Sequence, residues 1–516
     1  MKKLFTLFTL FTLTFFLFTA CDEDDNTTPV VDTDESTDSP QLVAPGAVVD
    51  IQVGTAVDIK FSGAIPGGFK SAEWAATGGT AAQKAVPNAG ATDGTFEATF
   101  TAGTTAGAGK VTLTVTDAKD KSSTVSATIN VTTDPAPVNY TGFVTTQTWK
   151  ADRIHILNNK VVVKSGNTLT IEAGAIVKGS TGTGSLASAL VVERGGKLIA
   201  EGTADKPIVF TGTSDNIKIG EKMGTNLTVD DAGLWGGILI LGKAKISASD
   251  SEGKDINETQ IEGIPASDTY GLYGGSDDTD NSGTLKYVSI RHGGALIGEG
   301  NEINGLTLGG VGSGTKISYV EVVSNKDDGI EFFGGAVDCD YCLTTAHDDD
   351  GIDIDQSYSG KITNALVVQG AGSDHALEID GPEGSMVAGY TLDVVTLIGI
   401  GGTAKSEIAD FRKKAVGSNK NIYASNFPPA GDGDISLSSG SDGTYAANTL
   451  TFDKWEVKLN AADSDILNIC PEIGGTRTML NNASGSPAIT AVTTATVGTD
   501  LSGFDWTWTK AKGLIN

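Results

Sequence analysis

Two near-copies of one acidic phrase constrain this chain more than any other feature. "NKDDGIEFFGG" begins at Asn325 and "AHDDDGIDIDQ" at Ala346, which sets Asp328-Gly329-Ile330 and Asp350-Gly351-Ile352 22 residues apart. A looser third version, "GSDHALEIDGP", begins at Gly372. Upstream, "KVVVKSGNTLTIEAGAIVKG" is followed at a similar interval by "ALVVERGGKLIAEGTADKPIVFTG", again short β-branched runs broken by Gly or Asn. The interval leaves no room for the helical crossover of a βαβ unit, and a hairpin meander fits no better. Internal repeats of this length, each holding short strands, indicate a solenoid. The predicted fold is a right-handed parallel β-helix, each coil laying its strands on the previous coil at about 4.8 Å. The period of two then sets the register. Ile330 and Phe332 point inward with Ile352 and Ile354, while Glu331, Phe333, Asp353 and Asp355 point outward.

On that register Gly329 and Gly351 share a corner of consecutive coils. Asp327 and Asp328 stack there with Asp348, Asp349 and Asp350, and Asp374 falls on the third coil. Glu331, Asp353 and Glu378 form one outward ladder, Asp355 and Asp380 a second. Like charges about 5 Å apart repel by about 1 kcal/mol in water and several times that at an effective dielectric of 20. A hard cation relieves this, and calcium takes 6–8 oxygen ligands, so calcium is the expected cofactor at these eleven acids. The competing readings are a solvated acidic face screened by salt and a catalytic carboxylate cluster. For catalysis, Asp353, Asp355 and Asp380 would act with Arg412 and Lys413 of "DFRKKA". A calcium-dependent lyase needs a basic residue beside its acids, and a glycosidase needs paired carboxylates at about 5.5 or 6.5–9.5 Å. Arg412, Lys413 and Lys414 could instead only neutralise the acids. Phe333, Tyr341 and Tyr358 are the aromatic residues available to stack on a sugar, and His292, His347 and His375 follow no catalytic pattern. "GGSDDTDNSG" (Gly274 to Gly283) reads as a turn-rich insertion in preference to a cation loop.

The rest of the chain sets the context. "MKK" and the apolar run Leu4 to Phe18 have the form of a signal peptide, too short for the roughly 20 residues of a membrane span. The run ends in Phe18-Thr19-Ala20-Cys21, which resembles a bacterial lipobox and implies lipidation of Cys21 after removal of residues 1–20. Residues 21–40 are acidic and poor in apolar side chains, a self-repelling disordered tether. Residues 41–132 alternate in short strands separated by turn residues, which predicts an Ig-like or PKD-like β-sandwich. Residues 133–139 form a Pro-stiffened linker, 140–480 the β-helix, and 481–516 a C-terminal cap. In that cap Phe504, Trp506 and Trp508 alternate and would cover the open solenoid end. Cys339 and Cys342 mimic a metal knuckle without a second pair. Three residues apart on an extended strand is about 10 Å, beyond the roughly 7 Å a disulfide allows, so both are expected to be buried thiols. Asp and Glu number 64 against 36 Lys and Arg, for a formal net charge of −28, which makes nucleic acid a poor partner.

"NTLTIEAGAIVKG", "LWGGILILGKAKI", "YGGSDDTDNSGTLKYVSIRHGG", "GNEINGLTLGGVGSGTKISYVEVVSNKDDGIEFFGG" and "ADFRKKAVGSNKNIYASNF" together resemble a family of uncharacterised Bacteroidota surface lipoproteins. The likeness runs from about Trp149 to Lys510. That family is similar in being read as right-handed β-helices, and its members are often mislabelled multidrug transporters. The acidic residues after Cys21 also resemble its surface-export signal. The resemblance implies a fold and an outer-membrane location facing the cell exterior, with no reaction attached. The resulting expectation is a lipid-anchored, non-catalytic protein presenting a surface to a glycan or protein ligand. The enzymatic alternative is a calcium-dependent polysaccharide lyase or a glycoside hydrolase.

Overall fold

The structure, a computed structural model, describes residues 38–133, 135–296, 303–401, 405–431, 433–463 and 465–516. The signal segment, Cys21 and nearly all of the acidic tether lie outside the described residues. Two compact units divide at Val131 and Thr132.

In the first unit, period-two alternation builds two four-stranded antiparallel sheets. One contains Gln41–Val43, Ala56–Ala64, Gly79–Ala85 and Asp93–Ala102; the other contains Val49–Gln52, Phe69–Thr77, Gly107–Asp117 and Ser122–Thr132. Val111, Leu113 and Val115 face a core shared with Ile59, Phe61, Phe96 and Phe100. The intervening Thr112, Thr114 and Thr116 face out and pair by hydroxyl with Ser126, Thr124 and Ser122 at 2.8–3.0 Å. Asp117 closes the hairpin by accepting the Lys119 and Lys121 N–H groups at 2.9 Å.

The second unit is a parallel β-helix of 23 hydrogen-bonded strands. Its first rung begins at Val138 and its last ends at Ala491. Three faces alternate. Lys316–Val323 supplies the first two faces of one coil and Ile330–Phe333 the third, and the same division recurs at Asp338–Thr345 with Ile352–Asp355 and at Lys361–Val368 with Leu377–Asp380. The first two faces meet at a single residue in the left-handed region: Tyr287, Tyr319, Tyr341, Asn364, Val394, Asn421 and Lys454 on successive coils, with φ between 50° and 61°. Inward residues of all three faces merge into one core, from Val144 and Trp149 to Trp455 and Ile489.

That left-handed residue overturns the reading of Cys339 and Cys342. Tyr341 (φ 53°) folds the strand between them, so both sulfurs turn inward, their Cα atoms are 6.2 Å apart and they form a disulfide. The extended geometry that made the pair too distant does not apply at the bend. Cys470 is a buried free thiol.

Within the C-terminal segment Ile489–Ala491 does stack on the final coil as the last rung, but Phe504, Trp506 and Trp508 do not cover the end. After that rung the chain returns along the outside of the second face. Thr499 bonds to Ala365 and Val394 carbonyls at 2.6 and 2.8 Å, and Phe504 packs 5.8 Å from Tyr341. Trp506 meets Tyr287 edge-on at 5.4 Å. Buried Glu321 fixes the far end, accepting the Trp508 and Thr509 N–H groups at 3.1 and 2.8 Å and the Thr509 hydroxyl at 2.8 Å. Phe504 and Ile515 thereby cover Leu343, Leu366 and Val368, outward residues too apolar for water. The end itself is closed by Ile469 and Leu480, which join the central core.

Candidate functional site

The acidic phrases stack on the third face and the corner before it, in two columns with a more open row beside the first. The first runs through Asn304, Asp328, Asp350 and His375 and forms a staircase. The side-chain oxygen of Asn304 accepts the Asp328 N–H at 3.2 Å, Asp328 accepts the Asp350 N–H at 2.9 Å, and Asp350 accepts the His375 N–H at 2.8 Å. One acid in each phrase therefore satisfies a buried backbone donor of the next coil, the kind of group that cannot be left unpaired. Gly329 and Gly351 follow in this column because the coils touch: a Cβ on Gly329 would sit 2.7 Å from the Gly351 carbonyl, and one on Gly351 2.6 Å from that of Ala376. Asp327, Asp349 and Asp374 occupy the adjacent, more open position, where the Asp374 N–H reaches the Asp349 carbonyl at 2.8 Å. Asp348 pairs with Lys326 at 2.5 Å.

The second column belongs to the strands. Glu331 lies over Asp353, Asp353 over Glu378, and Glu378 over Asp410 in parallel register. Upstream the same outward column is apolar (Val162, Val191, Leu239) and is covered by Ile246, Ile261, Ile264 and Tyr273 from the 41-residue excursion 242–282. The excursion continues toward the acids. Tyr273 donates to Gln356 at 3.0 Å, Gln356 donates to Glu383 at 3.0 Å, and Ser385 N–H bonds to Asp255 at 2.7 Å. Outward therefore does not mean solvated. Glu331 is 6% exposed, Asp328 7% and Asp353 8%.

Electrostatics divide this face. On the lower coils, Arg412 reaches both Glu378 and Asp380, its Nε 2.8 Å from Asp380, and Lys413 Nζ lies 2.5 Å from Asp380. These cations neutralise the acids they were weighed against as catalytic partners. On the upper coils, among the described residues, Asp328, Glu331 and Asp353 form no ion pair with Lys or Arg, yet one oxygen of each lies within 4.8 Å of the others. Asn304 donates to Glu331, whereas Asp353 Oδ1 is buried with no hydrogen-bond partner. Burial, reinforced by the neighbouring carboxylates, holds all three far above the ordinary carboxylate range. Asp355, its Oδ1 also unpartnered, is pushed up to about 7 by burial and then by Asp380. A proton or a cation must sit among these oxygens. An all-oxygen donor set suits a hard cation such as calcium, and the orphaned Asp353 oxygen is the atom such an ion would satisfy.

His375 is the residue the sequence motifs missed. It holds the column position of Asp328 and Asp350 in the third phrase, which the alignment of "DDDGIDID" with "SDHALEID" could have revealed. Its Nδ1 lies 2.8 Å from Asp350 and 3.3 Å from Glu378, with Glu407 3.8 Å from Nε2. Burial opposes its protonation, but the Asp350 hydrogen bond and the surrounding acids outweigh it and raise His375 to about 9. His347 is buried and held neutral, lowered to about 4 by burial.

The aromatic residues expected to stack on sugars are elsewhere. Phe333 is buried against Tyr273 at 5.9 Å. Tyr358 is in the core, 4.6 Å from Phe332, with its hydroxyl on the Val337 carbonyl. Tyr341 stacks on Tyr319 at 4.7 Å beneath Phe504, on the far side of the coil. The loop at Gly274 to Gly283 is held inward by its own acids: Asp280 accepts the Lys243 N–H and Asp278 the Lys245 N–H, each at 3.0 Å, which makes it a structural turn.

Fold and site together define an all-β protein with an N-terminal sandwich and a parallel β-helix carrying covered acidic rungs. The profile of the pectate-lyase-like beta helix domain family matches residues 142–511, and the chain belongs to that family. Among curated proteins the chain has no match. Among solved structures, the family 28 exopolygalacturonase of Yersinia enterocolitica aligns over 82% of this chain and 95% of its own at 12% identity and a TM-score of 0.18. A superposition that loose carries no argument about activity.

Proposed function

We propose that this protein is a non-catalytic, carbohydrate-binding β-helix whose upper acidic rungs are held together by calcium. The observation that carries the reading is Asp353: a buried carboxylate oxygen without a partner, within 4.8 Å of Asp328 and Glu331 oxygens and without a basic neighbour in ion-pair contact among the described residues. A lyase or hydrolase needs its acids open to a polymer and its base free. These acids are covered, and Arg412 and Lys413 are engaged by Glu378 and Asp380, which favours a structural cation. The family's pectate-lyase-like character supports a carbohydrate ligand. The lipobox at Cys21 and the acidic residues after it support a lipid tether to the outer membrane, facing the cell exterior. Titration calorimetry with calcium, together with reducing-end and unsaturated-product assays on acidic and neutral glycans, tests the reading. Calcium should bind with release of protons and no glycan should be cleaved. Cleavage that Asp353→Asn abolishes would replace this reading with the enzymatic one.

A further inference from the structure

We infer that a second site, remote from the acidic rungs in sequence, binds a neutral oligosaccharide. The cleft between the N-terminal coils and the 242–282 excursion has a volume of about 420 Å³ and is lined by Glu193, Arg194, Lys243, Glu258, Thr269 and Asp277, within the roughly 300–1,000 Å³ of small-ligand sites. Its two walls come from different parts of the chain and are pinned before any ligand arrives. Arg194, on a coil corner, donates to the Gly274 carbonyl at 2.9 Å and lies 2.7 Å from Glu258, both on the excursion. A ligand entering such a cleft meets fixed walls, which lowers the ordering cost of binding.

The chemistry of the lining selects the ligand. Among the described residues, the Glu193 carboxylate and the Lys243 ammonium make no side-chain hydrogen bond or ion pair, so one acceptor and one donor are free in the same cleft. An exposed aromatic ring packs against two residues that are chain neighbours of the lining. Phe143 is 59% exposed, with Lys164 4.7 Å over its ring and Tyr270 6.1 Å away, and Lys164 and Tyr270 immediately adjoin the lining residues Ser165 and Thr269. Free carboxylate, ammonium and hydroxyl groups beside an exposed ring are complementary to a pyranose, which presents alternating hydroxyls at its edge and C–H groups on its face. Charge offers a polyuronide no net attraction. Glu258 already offsets Arg194, and Glu193 and Asp277 balance Lys243 and Lys164, on a chain of formal net charge −28.

This inference rests on the carbohydrate reading above and names where and what. The test is binding of the full chain to immobilised gluco-, xylo- and manno-oligosaccharides and to oligogalacturonides, repeated with Phe143→Ala and Glu193→Gln. The expected result is binding to a neutral series, weakened about tenfold by each variant with the melting temperature unchanged. Neutral-glycan binding that neither variant alters would overturn the cleft and leave the carbohydrate reading standing. Preference for oligogalacturonides would overturn the neutral assignment, and failure to bind any glycan would remove both readings.

Discussion

Protons and calcium should compete for the upper acidic rungs, and the competition should be visible as a reversal in how stability depends on pH. Asp355 is raised from 3.8 to about 7, and Asp328, Glu331 and Asp353 move in the same direction. Without calcium these four carboxyl groups therefore hold more protons in the folded chain than in the unfolded chain from about pH 4 upward, and the stability they contribute falls as pH rises through their folded pKa values. At about 1.4 kcal/mol per pH interval, the displacement of Asp355 alone bounds its share at about 4 kcal/mol. His375, raised to about 9, also loses its contribution with rising pH, but only above its ordinary 6.5. Between about pH 4.5 and 6.5 His375 is silent, but His292 and His347, lowered to about 4 by burial, add stability as pH rises, so the carboxylate share is read as the difference between the wild type and Asp353→Asn over that range. Calcium requires deprotonated ligands and at 100 times its dissociation constant adds about 2.7 kcal/mol, so its benefit should grow as pH rises. The assay is urea unfolding of the β-helix in chelator and in millimolar calcium at matched ionic strength. In chelator Asp353→Asn should gain stability relative to the wild type as pH rises, and it should remove most of the calcium gain. A chelator profile whose pH dependence is the same in the wild type and in Asp353→Asn, or a calcium effect that sodium chloride reproduces, would refute the argument.

The strap over the second face depends on Glu321. Glu321→Leu leaves the Trp508 and Thr509 N–H groups buried without an acceptor, at about 1–3 kcal/mol each, and hydrogen exchange at both amides should accelerate together with tryptic cleavage after Lys510; unchanged exchange would sink the claim. Arg412→Met leaves Glu378 only His375 and Asp380 only Lys413 as cationic partners and should cost about 3 kcal/mol, the low end for breaking a buried pair, read by the same unfolding assay. Alkylation of the denatured, unreduced protein should spare Cys339 and Cys342 and modify Cys470, and labelling of all three would remove the disulfide. Cys21→Ser should abolish incorporation of a fatty-acid probe and release the protein from the membrane fraction; a variant that still labels disposes of the lipobox.

Register was legible because alternation and a 22-residue period admit one solution: Ile330, Phe332, Ile352 and Ile354 had to face in, so Glu331 and Asp353 had to face out. What lay over them was not legible. The cover comes from Tyr273, Gln356 and Glu383, residues separated by up to 110 positions whose contacts no local pattern encodes. The left-handed bend was missed for a different reason. Tyr287, Tyr319 and Tyr341 are not residues that favour positive φ, and only their mutual stacking at 4.5 and 4.7 Å marks them as a set. Phe504, Trp506 and Trp508 were rightly singled out as a covering surface, but alternation says nothing about which surface is covered. His375 went unread because its value lies in its column, which charge type alone does not show.

The single-residue bend also decides where this architecture can change. From Tyr287 onward one corner of every coil has no loop, so all length variation is confined to the two corners that flank the third face. The excursion at 381–389 arises there, as does 242–282 immediately before the Tyr287 coil. The bend is an inextensible seam, and the flanking corners are graft points. A reporter domain inserted after Ser385 should leave every rung in register, whereas one inserted after Asn364 would have to break the ladder that Ala365 and Thr363 continue on either side. Added length in such an architecture therefore gathers around the acidic face and leaves the seam on the opposite side unaltered, so the outline of the coil can change while its spine does not.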